Sequence, residues 1–108
     1  MNYKVFLTDN FKREAKKLAK KYPSLKSELA ALGEQLSENP EQGIPLGNNV
    51  YKIRLSISSK GKGKSGGARL ITHILFKNKT VFLLSIYDKS EIENLSDNEI
   101  KELIKLIP

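Results

Sequence analysis

The sequence predicts an α+β fold, and three observations carry that expectation. Apolar residues recur at three- and four-residue steps between Phe11 and Leu36, as helices require. From Val50 to Tyr87 they alternate or cluster in blocks of strand length, and Ser96-Asp97-Asn98-Glu99 opens one more helical stretch. The expected order is β-α-α-β-β-β with a short C-terminal helix, an antiparallel sheet packed against a helical hairpin. With 108 residues, 39% of them hydrophobic, the chain has material for one core, so a single domain over residues 1–108 is expected.

Residues 2–7 (Asn-Tyr-Lys-Val-Phe-Leu) read as a strand. Thr8 or Asp9 can cap a helix running to about Tyr22, with Phe11, Ala15, Leu18 and Ala19 on one face and mostly lysine on the other. Pro23 and Ser24 restart the chain into a second helix, in which Leu25, Leu29, Leu32 and Leu36 share a face until Asn39-Pro40 ends it. Residues 39–49, with Pro40, Gly43, Pro45 and Gly47, are expected to be loop. Residues 50–57 alternate, with Ile53, Leu55 and Ile57 on one side and Lys52, Arg54 and Ser56 on the other. A glycine- and lysine-rich connection over residues 58–67 leads to strands at about 68–76 and 80–87, joined by the turn Lys77-Asn78-Lys79. The last helix presents Ile100, Leu103, Ile104 and Ile107.

Charge is segregated along this order. Between Glu41 and Asp88 there are eight basic residues and no acidic one, within a chain of net charge +7. Such a segment repels itself and points to a polyanionic partner, with nucleic acid the first candidate. The absence of cysteine excludes disulfides, thiolate metal sites and cysteine nucleophiles, and suits a reducing cytosol. No apolar run is long enough for a signal peptide or a membrane span, so a soluble cytoplasmic protein without a membrane partner is expected.

Gly63-Lys64-Ser65 resembles the end of a phosphate-binding P-loop, but Ser58 stands where that motif needs its first glycine. The segment also joins two strands rather than a strand and a helix, which excludes an NTPase. Lys60, Lys62 and Lys64, spaced by glycines, instead form a cationic arm able to follow a phosphate backbone; the plainer reading is a solvated hairpin loop. Lys52 and Arg54 project from one sheet face, and Arg69 at the start of the next strand can join them. Arginine offers two-point contact to a phosphate, which suits stabilisation of a crowded transition state. His73, the only histidine, alternates onto the side of Arg69, although a lone strand histidine is more often a packing residue. Tyr87 can stack on a base, take part in proton transfer if cations lower its pKa, or simply pack at the edge. Lys89 can neutralise a leaving oxygen, and Asp88 is the only acid expected near the site, where it would orient a basic group.

Three runs together, Tyr51 to Leu55, Ser59 to Arg69 and Leu84 to Glu91, resemble toxins of the RelE/ParE superfamily, the toxin halves of bacterial type II toxin–antitoxin modules, particularly the HigB-like branch. The resemblance spans the whole element order. It implies two N-terminal helices against an antiparallel sheet whose open face cleaves mRNA in the ribosomal A site, without a metal or small-molecule cofactor. The ribose 2′-hydroxyl attacks the adjacent phosphate and leaves a 5′-hydroxyl.

By position, Lys52 and Arg54 match the paired basic residues of the family's second strand, Arg69 the arginine opening its third, and Lys89 a basic residue after its last. Where the family carries a C-terminal tyrosine this chain reads near Leu95, so that role is absent or moves to Tyr87. HigB relatives use histidines at the site. Tyr87, Lys52 and Lys60 stay open as general base. The catalytic set expected is Lys52, Arg54, Arg69, Tyr87 and Lys89, with Lys60, Lys62 and Lys64 holding RNA. The partners expected are mRNA, the ribosome and a cognate antitoxin. The same fold also serves ParE-like gyrase poisons and could serve a non-cleaving ribosome-binding module.

Overall fold

Thr8 is where the extended N-terminal segment becomes helix: its Oγ1 accepts from the Phe11 amide at 3.2 Å, capping an otherwise unpaired donor. The computed structural model describes residues 2–60 and 67–108. Strand β1 (Lys4–Leu7) precedes helix α1 (Asp9–Lys21), and helix α2 (Leu25–Glu38) follows. Next come strands β2 (Ile44–Gly47), β3 (Val50–Leu55), β4 (Ala68–Leu75) and β5 (Thr80–Asp88), then helix α3 (Asp97–Ile104). Short 3-10 turns occupy Ser58–Lys60 and Phe76–Asn78, where Lys79 takes the left-handed conformation that closes the β4–β5 hairpin. The expected capping box of α3 is present, with Ser96 and Glu99 each satisfying the other's amide.

The strands form one sheet in the order β1-β5-β4-β3-β2. Strands β3, β4 and β5 form the predicted antiparallel meander, β2 adds to β3 antiparallel, and β1 lies parallel to β5. The helical hairpin carries the chain from one sheet edge to the other, so β1 and β5 need no tight turn between them.

The segment expected to be loop also corrects the sequence reading, since Ile44–Gly47 pairs with β3. Asn48 and Asn49 both adopt positive φ (54° and 62°), a conformation asparagine tolerates in hairpin turns, and Pro45 is accommodated because β2 is an edge strand.

The two sheet faces have separate apolar clusters. Phe11 and Leu18 of α1 and Leu25, Leu32 and Leu36 of α2 pack on Ile53, Leu70, Ile74, Val81, Leu83 and Ile86. On the opposite face, Ile100 of α3 covers Val50, Ile71, Phe82, Leu84 and Tyr87, flanked by Leu95, Leu103 and Ile107. That helix shields only part of the face, and the end bearing Lys52, Arg54 and Arg69 stays open.

Strand β5 does not alternate throughout. Ile71 pairs with Ser85 while the adjacent Thr72 pairs with Leu83, so β5 holds one extra residue, a β-bulge. Phe82 and Leu84 face α3 before the bulge and Tyr87 faces it afterwards, whereas Val81, Leu83 and Ile86 face the hairpin. An even-numbered face becomes odd-numbered within one strand.

Candidate functional site

Three neighbouring strands bring Arg54, Arg69 and Tyr87 into a single row, because Arg54 pairs with Arg69 and Arg69 with Tyr87. Directly opposed residues have Cβ atoms about 5 Å apart, so the two guanidinium groups share one patch of surface. Lys52 stands two residues along β3, and its Nζ donates to Asn94 Oδ1 at 3.0 Å. Around them opens a cleft of about 280 Å³, lined by Lys52, Arg54, Arg69 and Lys89, by Glu93 and Asn94 of the segment before α3, and by Ile44 at the edge.

Arg69 is 6% exposed and forms the floor, with its Nη1 donating to the Ala68 carbonyl oxygen at 3.1 Å. Burial, followed by repulsion from Arg54, pushes its pKa below the usual arginine value, while Tyr87 opposes the shift. Two facing cations held against that cost form a site complementary to an anion.

Four predicted site residues therefore meet in the cleft: Lys52, Arg54, Arg69 and Lys89. Tyr87 does not join them at the surface. Its side chain is buried beside Arg69 in the apolar cluster covered by α3, so it cannot stack on a base, and among the described residues its hydroxyl has no hydrogen-bond partner. The Leu95 main chain lies close enough to act on the phenol without meeting hydrogen-bond geometry. Burial raises the phenol pKa, against the opposing pull of Arg69 and the Leu95 main chain. The net shift is upward, the reverse of the shift a proton-accepting tyrosine would need.

Charge alone groups Lys60 with the RNA-holding lysines, but its side chain is only 6% exposed and its Nζ lies 2.7 Å from Asp88 Oδ1. It also sits over the Tyr22 ring, 5.6 Å from the centroid. Buried and paired, its ammonium is not presented to a phosphate backbone. Lys62 and Lys64 lie outside the described residues.

Asp88 likewise points away from the cleft. Its carboxylate accepts from Lys60, from the Ser90 amide (2.9 Å) and hydroxyl (2.7 Å), and from the Tyr22 hydroxyl (2.8 Å). Burial alone would raise its pKa, but these donors hold it well below the usual carboxylate range.

His73 shares the sheet face of Arg69 but lies four residues along β4, about 13 Å away at strand rise. Its Nδ1 is buried without a hydrogen-bond partner among the described residues, and burial lowers its pKa, disfavouring the charged ring.

Sequence reasoning missed Glu93 and Asn94. Asp88 is not the acid at the site; among the described residues lining the cleft, Glu93 is the only carboxylate. No periodicity marks either residue, because both precede α3 in irregular chain. Among the described residues, no group of three or more histidine, cysteine or acidic side chains could hold a metal ion, and no helix is long and apolar enough to cross a membrane.

Comparison with known proteins follows the same lines. A sequence-family model described as the RelE toxin of the RelE/RelB toxin–antitoxin system matches residues 3–107. The fold is similar to that of an arginine-to-alanine double mutant of the Escherichia coli toxin RelE in the free state. The TM-score is 0.66 at 22% identity, covering 100% of both chains. It is also similar to a chain of the toxin–antitoxin complex RelBE2 from Mycobacterium tuberculosis, with a TM-score of 0.61 at 22% identity, covering 82% of this chain and 99% of the other. At these identities the structural likeness establishes the α+β fold.

Proposed function

Because the chain belongs to the RelE toxin family of RelE/RelB toxin–antitoxin systems, we propose that it is a metal-independent endoribonuclease that cuts mRNA on the ribosome and stops translation. The observation that carries this reading is the row of Arg54 and Arg69, flanked by Lys52 and Lys89 around one open cleft. A gyrase poison acting only through protein contacts has no need of a cluster that stabilises phosphate.

In the proposed reaction a ribose 2′-oxygen forms a bond to the adjacent phosphorus and the bond to the 5′-oxygen breaks, leaving a cyclic phosphate and a 5′-hydroxyl. Arg69 and Arg54 neutralise the non-bridging oxygens as charge builds on the phosphorane. Lys89 donates a proton to the departing 5′-oxygen, and Lys52 binds the phosphate while holding Asn94 at the rim. Glu93, beside Asn94, takes the 2′-hydroxyl proton. Tyr87 stays a neutral phenol packed beside Arg69. A HigB-like site would call on histidine; the distance of His73 from the cleft favours the cation-based chemistry instead. Lys62 and Lys64 remain the proposed RNA-holding arm. The proposed partner in neutralisation is a cognate antitoxin, with an acidic segment over the cleft.

The test is induced expression in a bacterial host with 5′-hydroxyl RNA ends mapped alongside translation and replication rates. The expected result is ends within translated codons and early arrest of protein synthesis. Arrest of replication first, with intact transcripts, would support gyrase poisoning; ribosome binding without new ends would support a non-cleaving module.

A further inference from the structure

The cleft depends on a register change made from the other side of the sheet. Strand β1 ends at Leu7, its pairing partner on β5 being Leu83, so the outer edge of β5 beyond Leu83 has no strand beside it. The first turns of α1 take over that edge. The Thr8 hydroxyl donates to the Leu83 carbonyl oxygen at 2.9 Å, and Asn10 Nδ2 donates to the Leu84 carbonyl oxygen at 2.9 Å. Glu14 Oε1 accepts from the Ser85 hydroxyl at 2.8 Å, from the Ile86 amide at 3.2 Å and from Asn10 Nδ2 at 3.0 Å. The two donors that Glu14 receives from β5, the Ser85 hydroxyl and the Ile86 amide, belong to the residues where the strand changes face.

We propose that Glu14 is a positioning residue for the cleft: by accepting the Ser85 and Ile86 donors it holds the β5 bulge that turns Tyr87 and Lys89 toward Arg69 and turns Asp88 away. The consequence follows from strand geometry. Without the extra residue, the face that carries Phe82 and Leu84 would continue through residues 86 and 88. Ile86 would then oppose Arg69, Asp88 would take the diagonal place that Lys89 holds, and Lys89 would point into the hairpin-side core. One inserted residue thus exchanges an acid for a base at the phosphate site. Glu14 itself touches neither the cleft nor anything bound in it, since α1 packs on the opposite face.

The proposal rests on the nuclease reading for its functional readout, but the bulge can be measured without RNA. Three variants serve: Glu14→Ala, which removes the acceptor; Glu14→Gln, whose amide oxygen can accept the same donors; and Ser85→Ala, which removes one donor. In Glu14→Ala, hydrogen exchange at the Ile86 amide should accelerate at least tenfold, and nuclear Overhauser contacts from the Tyr87 ring to Leu84 and Leu95 should weaken. Cleavage on programmed ribosomes should lose at least tenfold in kcat with KM within about twofold. Glu14→Gln should restore Ile86 protection and most of kcat, an outcome general destabilisation would not give. If Glu14→Ala does not fold, Ser85→Ala should show a smaller loss of the same kind.

Unchanged Ile86 exchange in Glu14→Ala would overturn the proposal. So would full kcat in a variant whose Ile86 protection is lost. If the wild-type protein cuts nothing, the nuclease reading fails, while the exchange and Tyr87 measurements still decide whether Glu14 sets the register.

Discussion

At the scale of single residues, Arg69 and Tyr87 separate chemistry from stability. Arg69 combines near-complete burial with a cationic neighbour, Arg54, so its guanidinium is held in a fixed place at the cleft. Arg69→Ala should lower single-turnover cleavage by about 10²–10³-fold, the usual effect of losing one preorganised donor to a developing charge, while circular dichroism shows the fold retained. Tyr87→Phe removes a buried hydroxyl that has no hydrogen-bond partner among the described residues, so its melting temperature should stay the same or rise slightly. A phenol with a raised folded-state pKa stabilises the fold below its unfolded value, near pH 10, and loses that contribution as pH rises through the folded value. The variant should therefore lose less stability than the wild type in alkaline titration. Glu93→Gln should reduce kcat with little change in ribosome affinity, and a variant of full activity would remove Glu93 as proton acceptor.

At the scale of elements, the added edge strand β2 depends on Gly43. This residue has φ 104°, and a Cβ there would stand 2.6 Å from the Lys52 carbonyl oxygen. Gly43→Ala should cost about 2 kcal/mol or more through left-handed strain and overpacking. Because β2 pairs Ile44 with Lys52, the displacement should also reach the cleft. Denaturant unfolding and cleavage measured on the same preparation would check this, and an unperturbed variant would show that β2 adjusts independently of β3. The proline and glycines of this segment signalled a loop because they disfavour interior strands. They could not signal that the segment ends up at an edge, where those objections weaken.

At the scale of the molecule, charge acts in two separate ways. Under the proposed function the outward-facing cations bind RNA: binding of single-stranded RNA should weaken with salt by a slope of about −0.7 for each phosphate neutralised, and Arg54→Ala should reduce that slope by about one such step. The inward pair of Lys60 and Asp88 joins the end of β5 to Tyr22 at the end of α1 and to the 3-10 turn at Ser58–Lys60. Asp88→Asn leaves a buried ammonium uncompensated and should cost about 3 kcal/mol or more. A carboxylate held below its unfolded pKa stabilises fully above about pH 4 and loses that contribution as pH falls through the folded value. Acid unfolding should therefore be steeper in the wild type than in Asp88→Asn, and equal slopes would show that the pair does not govern it.

By itself the sequence determined the helical hairpin, the β3–β4–β5 meander and the capped last helix, because each rests on local periodicity or a local capping pattern. It also placed Lys52, Arg54 and Arg69 on one face, since alternation holds from Val50 to Leu55 and the pairing of neighbouring strands carries it to Arg69. Only the tertiary structure decided which way Tyr87, Asp88 and Lys89 face, because the β5 bulge that reverses the alternation is stabilised by side chains of α1 more than 70 residues away in sequence. It likewise turned Lys60 from a surface cation into a buried partner of Asp88, and brought Glu93 and Asn94 to the cleft. Charge and spacing are properties of the chain alone, whereas burial and the choice of partner arise only when distant segments pack together.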